Sequence, residues 1–183
     1  MHASIRHTAL ATIALVTLAG CASSYKTATV NNAALPEAVR VPDGHRQTAW
    51  TVGKGEITYE CRAKADAPGQ HAWAFVAPVA ALTDASGQNV GRYYGGPTWE
   101  GRDGSMVKGK QVGLAPAAAG NIAWQLVQAT PSTGQGLFEG TSYIQRLNTQ
   151  GGVAPAATCA ASNQGQRMQV AYQADYVVYK PAR

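Results

Sequence analysis

The chain has 183 residues, with 15 Lys+Arg against 10 Asp+Glu, 20 Gly, 9 Pro and 3 Cys. That length suits one domain with one hydrophobic core. Charged residues make up 14% and hydrophobic residues 45%, which excludes a disordered polyelectrolyte and a collagen-like chain. No apolar run reaches the ~20 residues of a membrane-spanning helix.

Residues 1–20 read as a lipoprotein signal peptide. Arg6, with His2 and His7, supplies a short basic start, and Leu10 to Ala19 is an apolar stretch suited to a signal core and too short to span a bilayer. It ends in Leu18-Ala19-Gly20-Cys21, which resembles the bacterial lipobox. Small residues there let the backbone enter the peptidase cleft, and the thiol carries the diacylglycerol, so Cys21 is the expected lipidation site. Each acyl CH₂ (of a palmitate chain, for example) contributes roughly 0.8 kcal/mol in lipid, and two or more chains anchor stably. Ala22 and Ser23 follow, not an Asp, which favours outer-membrane delivery in a bacterium with two membranes. The expected address is the cell envelope, with the membrane as first partner. Residues 21–34 read as the lipidated Cys and a flexible tether, and 35–183 as a single domain.

Removing the signal takes Arg6 and leaves a mild positive charge spread along the chain. Nucleic-acid binders cluster Lys and Arg on one face, so nucleic acid is not an expected partner. Arg92, Arg102, Lys108 and Lys110 form one local group, suited to an anionic glycan or headgroup, or to a solvated face. With Cys21 lipidated, Cys61 and Cys159 remain as an even pair in an oxidising compartment, and a disulfide is expected. It would close most of the domain, contributing roughly 2–4 kcal/mol.

From Leu35 onward the hydrophobic period is two. Ile57, Tyr59 and Cys61 alternate with polar residues. Ile122, Trp124 and Leu126 line one face of a second run, and Tyr143, Gln145 and Leu147 oppose Ile144 and Arg146 in a third. The clearest run sets Met168, Val170, Tyr172, Ala174, Tyr176 and Val178 against Gln169, Ala171, Gln173, Asp175, Val177 and Tyr179. Weaker strands are expected at 47–52, 72–76, 89–94 and 105–108. Turn signals stand between them at Asp66-Ala67-Pro68-Gly69, Asp84-Ala85-Ser86-Gly87, Gly95-Gly96-Pro97, Pro131 to Gly136 and Asn148 to Pro155. The expected fold is all-β, a single-domain antiparallel sandwich or barrel with long loops.

The stretch Gly91-Arg92-Tyr93-Tyr94-Gly95-Gly96-Pro97-Thr98-Trp99-Glu100, the run Ile122 to Leu126, and Tyr143-Ile144-Gln145-Arg146-Leu147-Asn148-Thr149-Gln150-Gly151-Gly152 carry a likeness. With Cys159 and Val170 to Tyr176, they resemble the secreted and envelope proteins grouped as domain of unknown function 3455. The resemblance covers about Leu35 to Tyr179 and implies no agreed activity. A dehydrogenase name borne by some fungal members is not carried over, because no Gly-x-Gly-x-x-Gly follows a strand here.

Two clusters are candidate sites. In Pro97 to Ser105, Trp99 would stack on a sugar ring while Glu100 and Asp103 bind hydroxyls or act as acid and base; the same residues also suit a core-plugging turn. In Arg146 to Gly152, the glycines let backbone N–H groups converge on an anion or hydroxyl, or simply set a turn. The candidate binding residues are Tyr93, Tyr94, Trp99, Glu100, Arg102, Asp103, Arg146 and Asn148. His45 and His71 lack metal-ligand spacing, and no Gly-x-Ser-x-Gly elbow occurs, so neither a metal, a cofactor nor a catalytic set is expected. The function these features suggest is a non-enzymatic envelope domain binding glycan, cell-wall polymer or protein. The alternative is an enzyme acting on envelope saccharide through a Glu/Asp pair.

Overall fold

The computed structural model describes residues 28–182. The expected signal peptide, lipobox and Cys21, with residues 22–27 of the expected tether, lie outside them.

The chain forms strands β1 (His45–Ala63), β2 (His71–Thr83), β3 (Asn89–Tyr94), β4 (Thr98–Gly101), β5 (Met106–Ala115), β6 (Trp124–Ala129), β7 (Tyr143–Gly151) and β8 (Arg167–Pro181). Each pairs antiparallel with the next, and β8 returns to β1. The result is a closed up-and-down barrel, so of the two expected architectures the barrel is the one formed. Closure gives every strand a neighbour on both sides, although residues 71–78 of β2 extend beyond the part that pairs with β3.

Two expected strands, 47–52 and 57–61, are one 19-residue strand, β1. Gly53 and Gly55 between them are not a break. A Cβ on Gly53 would sit 2.4 Å from the Tyr176 ring, and one on Gly55 2.0 Å from the Val79 carbonyl oxygen. The glycines let β1 pass close to its neighbours while large rings fill the interior. β4 occupies residues expected to be loop: Thr98 to Glu100 pairs with both β3 and β5.

Alternation sends one side chain in two inward. Ile57 and Tyr59, Leu82, Tyr93, Trp99, Val107, Val127, Ile144 and the β8 set Tyr172, Ala174, Tyr176 and Val178 form a continuous buried cluster. Each such large side chain contributes roughly 1.5–3 kcal/mol when buried. Lys54, Glu56, Arg92 and Lys108 are exposed on the outer wall. Apolar inside and charged outside is the reverse of a lipid-facing barrel.

A second cluster lies outside the wall. Residues 28–41 cross over β6, β7 and β8, packing Val39 and Val41 against Leu126, Leu147, Val177 and Tyr179. Polar contacts fix this segment. Gln145 Nε2 donates to the Val39 carbonyl at 2.7 Å and to Asn32 Oδ1 at 3.0 Å, and the Tyr179 hydroxyl donates to Gln145 Oε1 at 2.9 Å. The expectation that residues up to 34 form a free tether is therefore corrected: from Val30, whose N–H donates to Gln47 Oε1, the chain belongs to the domain. Ile122 is also corrected. It precedes β6 and packs on the inner cluster, whereas Trp124 and Leu126 face the outer one. Both clusters fall within Val30 to Tyr179, so a chain beginning at residue 22 carries the whole core.

The expected disulfide is present: Cys61 at the end of β1 joins Cys159 in the β7–β8 connection, with Cα atoms 5.5 Å apart.

A barrel plugged at one end and open at the other

The strand connections divide between two ends. The β2–β3, β4–β5 and β6–β7 connections gather at one, and β1–β2, β3–β4, β5–β6 and β7–β8 at the other. At the first end the β6–β7 connection, residues 130–142, folds back and inserts Phe138, fully buried, into the inner cluster. Two side chains of the β4–β5 turn hold it. Asp103 Oδ2 accepts the Leu137 N–H at 2.7 Å, and Ser105 Oγ accepts the Phe138 N–H at 3.1 Å while donating to Asp103 Oδ1 at 2.6 Å. The Ser105 hydroxyl, then the Leu137 and Ser105 N–H groups, hold the Asp103 carboxyl below its ordinary range.

This placement changes the reading of the Pro97–Ser105 cluster. Trp99 is 1% exposed, wedged between Tyr93 and Tyr176 at ring distances of 4.8 and 5.7 Å. It has no free face for a sugar; its strand alternation turns it inward. Glu100, one residue on, points to the outer wall, where Arg92 Nη2 and the Tyr94 hydroxyl donate to Oε2, each at 2.9 Å. Arg92 also stands 5.1 Å over the Tyr94 ring. The Tyr94 hydroxyl, then Arg92, hold Glu100 below its ordinary range. Both carboxylates are thus stabilised as anions, the opposite of what a general acid at neutral pH requires. Arg102 is exposed at the plugged end, its N–H donating to the Val90 carbonyl. Asn148, with a left-handed φ of 49°, donates to Asp175 Oδ2 on the outer wall. These residues belong to a plug and to the outer wall, not to one site.

The second end is open. A cavity of about 520 Å³ enters the barrel there, lined among others by Ile57, Tyr59, Phe75, Tyr93, Gln125 and Arg146. Of the expected binding residues, Tyr93 and Arg146 meet in it. Tyr59, Phe75, Gln111 and Gln125 were not anticipated. Phe75 stands at the rim, 56% exposed, its ring edge-on to Tyr59 at 6.2 Å. Gln125 Nε2 donates to Gln111 Oε1 at 2.7 Å. Arg146, half-buried, donates through Nε and Nη2 to the Ala123 carbonyl at 3.2 and 2.8 Å. Among the described residues it makes no ion pair. Burial pushes the phenols of Tyr59, Tyr93, Tyr172 and Tyr176 up, and at each of them the Arg146 charge opposes the rise.

The rim is rigidly tied. The Tyr59 hydroxyl donates to the Gly152 carbonyl at 2.7 Å, Trp73 Nε1 to the Ala157 carbonyl at 2.7 Å, and the Cys61–Cys159 bridge pins the same connection to β1. A second hollow, about 510 Å³, lies where the N-terminal segment meets the start of β1. Its wall includes Thr29 and Val30, close to the start of the described residues.

An eight-stranded barrel has an interior about wide enough for side chains or one small ligand, and here side chains fill one end while a cavity remains at the other. The architecture defines a one-ended barrel with a preformed mouth. The model of the family described as protein of unknown function (DUF3455) matches residues 42–180, and the chain belongs to that family. Neither a curated protein nor a solved structure matches the chain.

Proposed function

We propose that the protein is a lipid-anchored binding domain of the bacterial envelope, held to the membrane through Cys21, whose ligand enters the open mouth of the barrel. The mouth itself carries this reading. It is a concave, preformed space with aromatic and aliphatic walls and a few convergent polar groups, the usual make-up of a small-molecule site. This shifts the point of recognition from the 92–105 loop to the interior around Arg146. A glycan or cell-wall ligand would then enter by a terminal group, not lie along an exposed surface.

The test is a thermal-melt panel on the chain from residue 22, using peptidoglycan fragments, lipopolysaccharide and neutral oligosaccharides. A ligand at a hundred times its dissociation constant adds roughly 2.7 kcal/mol, a rise of several degrees for a domain of this size. The expected result is a rise with one class that disappears in Gln111→Trp, which crowds the rim at an exposed position. A rise that survives Gln111→Trp would place binding elsewhere on the surface. For the anchor, Cys21→Ser should release the exported protein from membranes; retention would refute it.

A further inference from the structure

We infer that the mouth takes a small amphipathic anion, its carboxylate or phosphate held by the outer edge of the Arg146 guanidinium and its apolar body by Tyr59, Phe75 and Ile57. This rests on the mouth being the binding site and adds the chemistry of what binds. The first observation is the state of Arg146. Its Nε and Nη2 share one acceptor, the Ala123 carbonyl, so one side of the planar fork is spent on positioning the group. Among the described residues Nη1 has no protein acceptor. It is not sealed from solvent either, since the single buried side-chain nitrogen or oxygen lacking a partner is Trp99 Nε1. The edge formed by Nη1 and the far side of Nη2 is therefore left unspent, on a side chain that lines the cavity. That edge matches two anionic oxygens in a plane.

The second observation is a half-buried cation near the phenols of Tyr59, Tyr93, Tyr172 and Tyr176 that makes no ion pair among the described residues. A desolvated charge is costly unless paired, and here the partner is left for a ligand to supply. The third is the exposed Phe75 at the rim, an apolar surface large enough to matter and facing Tyr59. Together they set an anionic point inside and an apolar wall towards the entrance. Lys110 also borders the mouth, but it lies on the outward-facing register of β5, beside inward Gln111, and is exposed.

A matched pair of fluorescent probes separates the charge from the body: 8-anilinonaphthalene-1-sulfonate and its uncharged parent, N-phenyl-1-naphthylamine. On the chain from residue 22, the sulfonate should bind roughly ten- to a hundredfold tighter, the range of a hydrogen-bonded charged contact. Arg146→Gln should remove that preference, Arg146→Lys should retain part of it, and Lys110→Gln should leave it. Equal binding of the two probes, both blocked by Gln111→Trp, would overturn the anion inference while leaving the mouth as the site. Preference for the sulfonate lost in Lys110→Gln but kept in Arg146→Gln would also overturn it, as would no binding of either probe. If Arg146→Gln fails to fold, Arg146→Lys and Lys110→Gln still decide: a preference reduced in the first and kept in the second supports Arg146, and the reverse overturns it.

Discussion

Phe138 and Phe75, the chain's two phenylalanines, sit at opposite ends of the barrel. Phe138 is fully buried under a connection that turns back into the interior, and Phe75 is 56% exposed at a mouth that the described residues leave uncovered. What separates them is where the long connections are tied. At the plugged end, Asp103 and Ser105 take the Leu137 and Phe138 N–H groups and draw residues 130–142 inward. At the open end, the β7–β8 connection is as long, yet it is bound to the ends of β1 and β2 by the disulfide, by Trp73 and by the Cys61–Gln166 and Gly165–Cys61 backbone bonds. One set of polar contacts completes a core; the other holds a cavity open.

The largest effect should come from removing the plug. Phe138→Ala should cost about 3–5 kcal/mol, the range for truncating a buried aromatic, read as a drop in denaturant midpoint with unchanged slope. A loss under about 1 kcal/mol would mean that the connection repacks and that the plugged end is less fixed than described.

Next in size is the staple of the open end. Reducing Cys61–Cys159, or replacing both with Ala, should cost roughly 2–4 kcal/mol. It should also release the 152–166 segment, seen as faster amide exchange there than in 130–142. Equal acceleration at both ends would show that the two ends unfold as one unit, and the contrast between them would lose its energetic meaning.

The two ends were unequally legible in the sequence. Alternation marks Tyr172, Ala174 and Tyr176 as inward and Arg146 as opposed to Gln145, and both assignments hold. It cannot say at which end of a barrel a residue stands, because that depends on register between strands far apart in sequence. So Pro97 to Ser105, contiguous and rich in polar groups, suggested one site, although β4 runs from the mouth at Thr98 to the plug beyond Gly101. β4 itself was hidden by its length of four residues and its flanking glycines. Val39 and Val41 carried no periodic signal, since their segment packs as an irregular strap over β6 to β8. Tyr59 was marked as inward, but its place at the mouth follows from pairing with Phe75 and not from any motif.

A smaller effect tests the polar latch of the plug through pH. Asp103 has a carboxyl held below its ordinary value of 3.8, so its contribution is complete above that value and is lost as pH falls through the lower, folded-state value. Asp103→Asn places an amide near the Leu137 N–H and should cost about 1–2 kcal/mol at neutral pH. The gap between the two proteins should stay constant above about pH 5 and narrow on further acidification. A gap that widened in acid would reverse the assignment of Asp103 as an anion-stabilised acceptor.

The smallest stability effect should fall at the mouth, where function would be most affected. Phe75→Ser removes a ring that is more than half exposed and touches the fold chiefly through its edge on Tyr59. Surface changes of this kind stay within about 0.5 kcal/mol, so the melting temperature should hardly move. Binding of an apolar probe at the mouth should weaken severalfold, because the ring's contact is made with the ligand and not with the core. Phe138→Ala should show the reverse order, a large loss of stability with mouth affinity retained in the folded fraction. If Phe75→Ser destabilised the barrel as much as Phe138→Ala, the ring at the mouth would be core in disguise. The cavity would then be a gap left by packing, and the difference between the ends would be one of degree only.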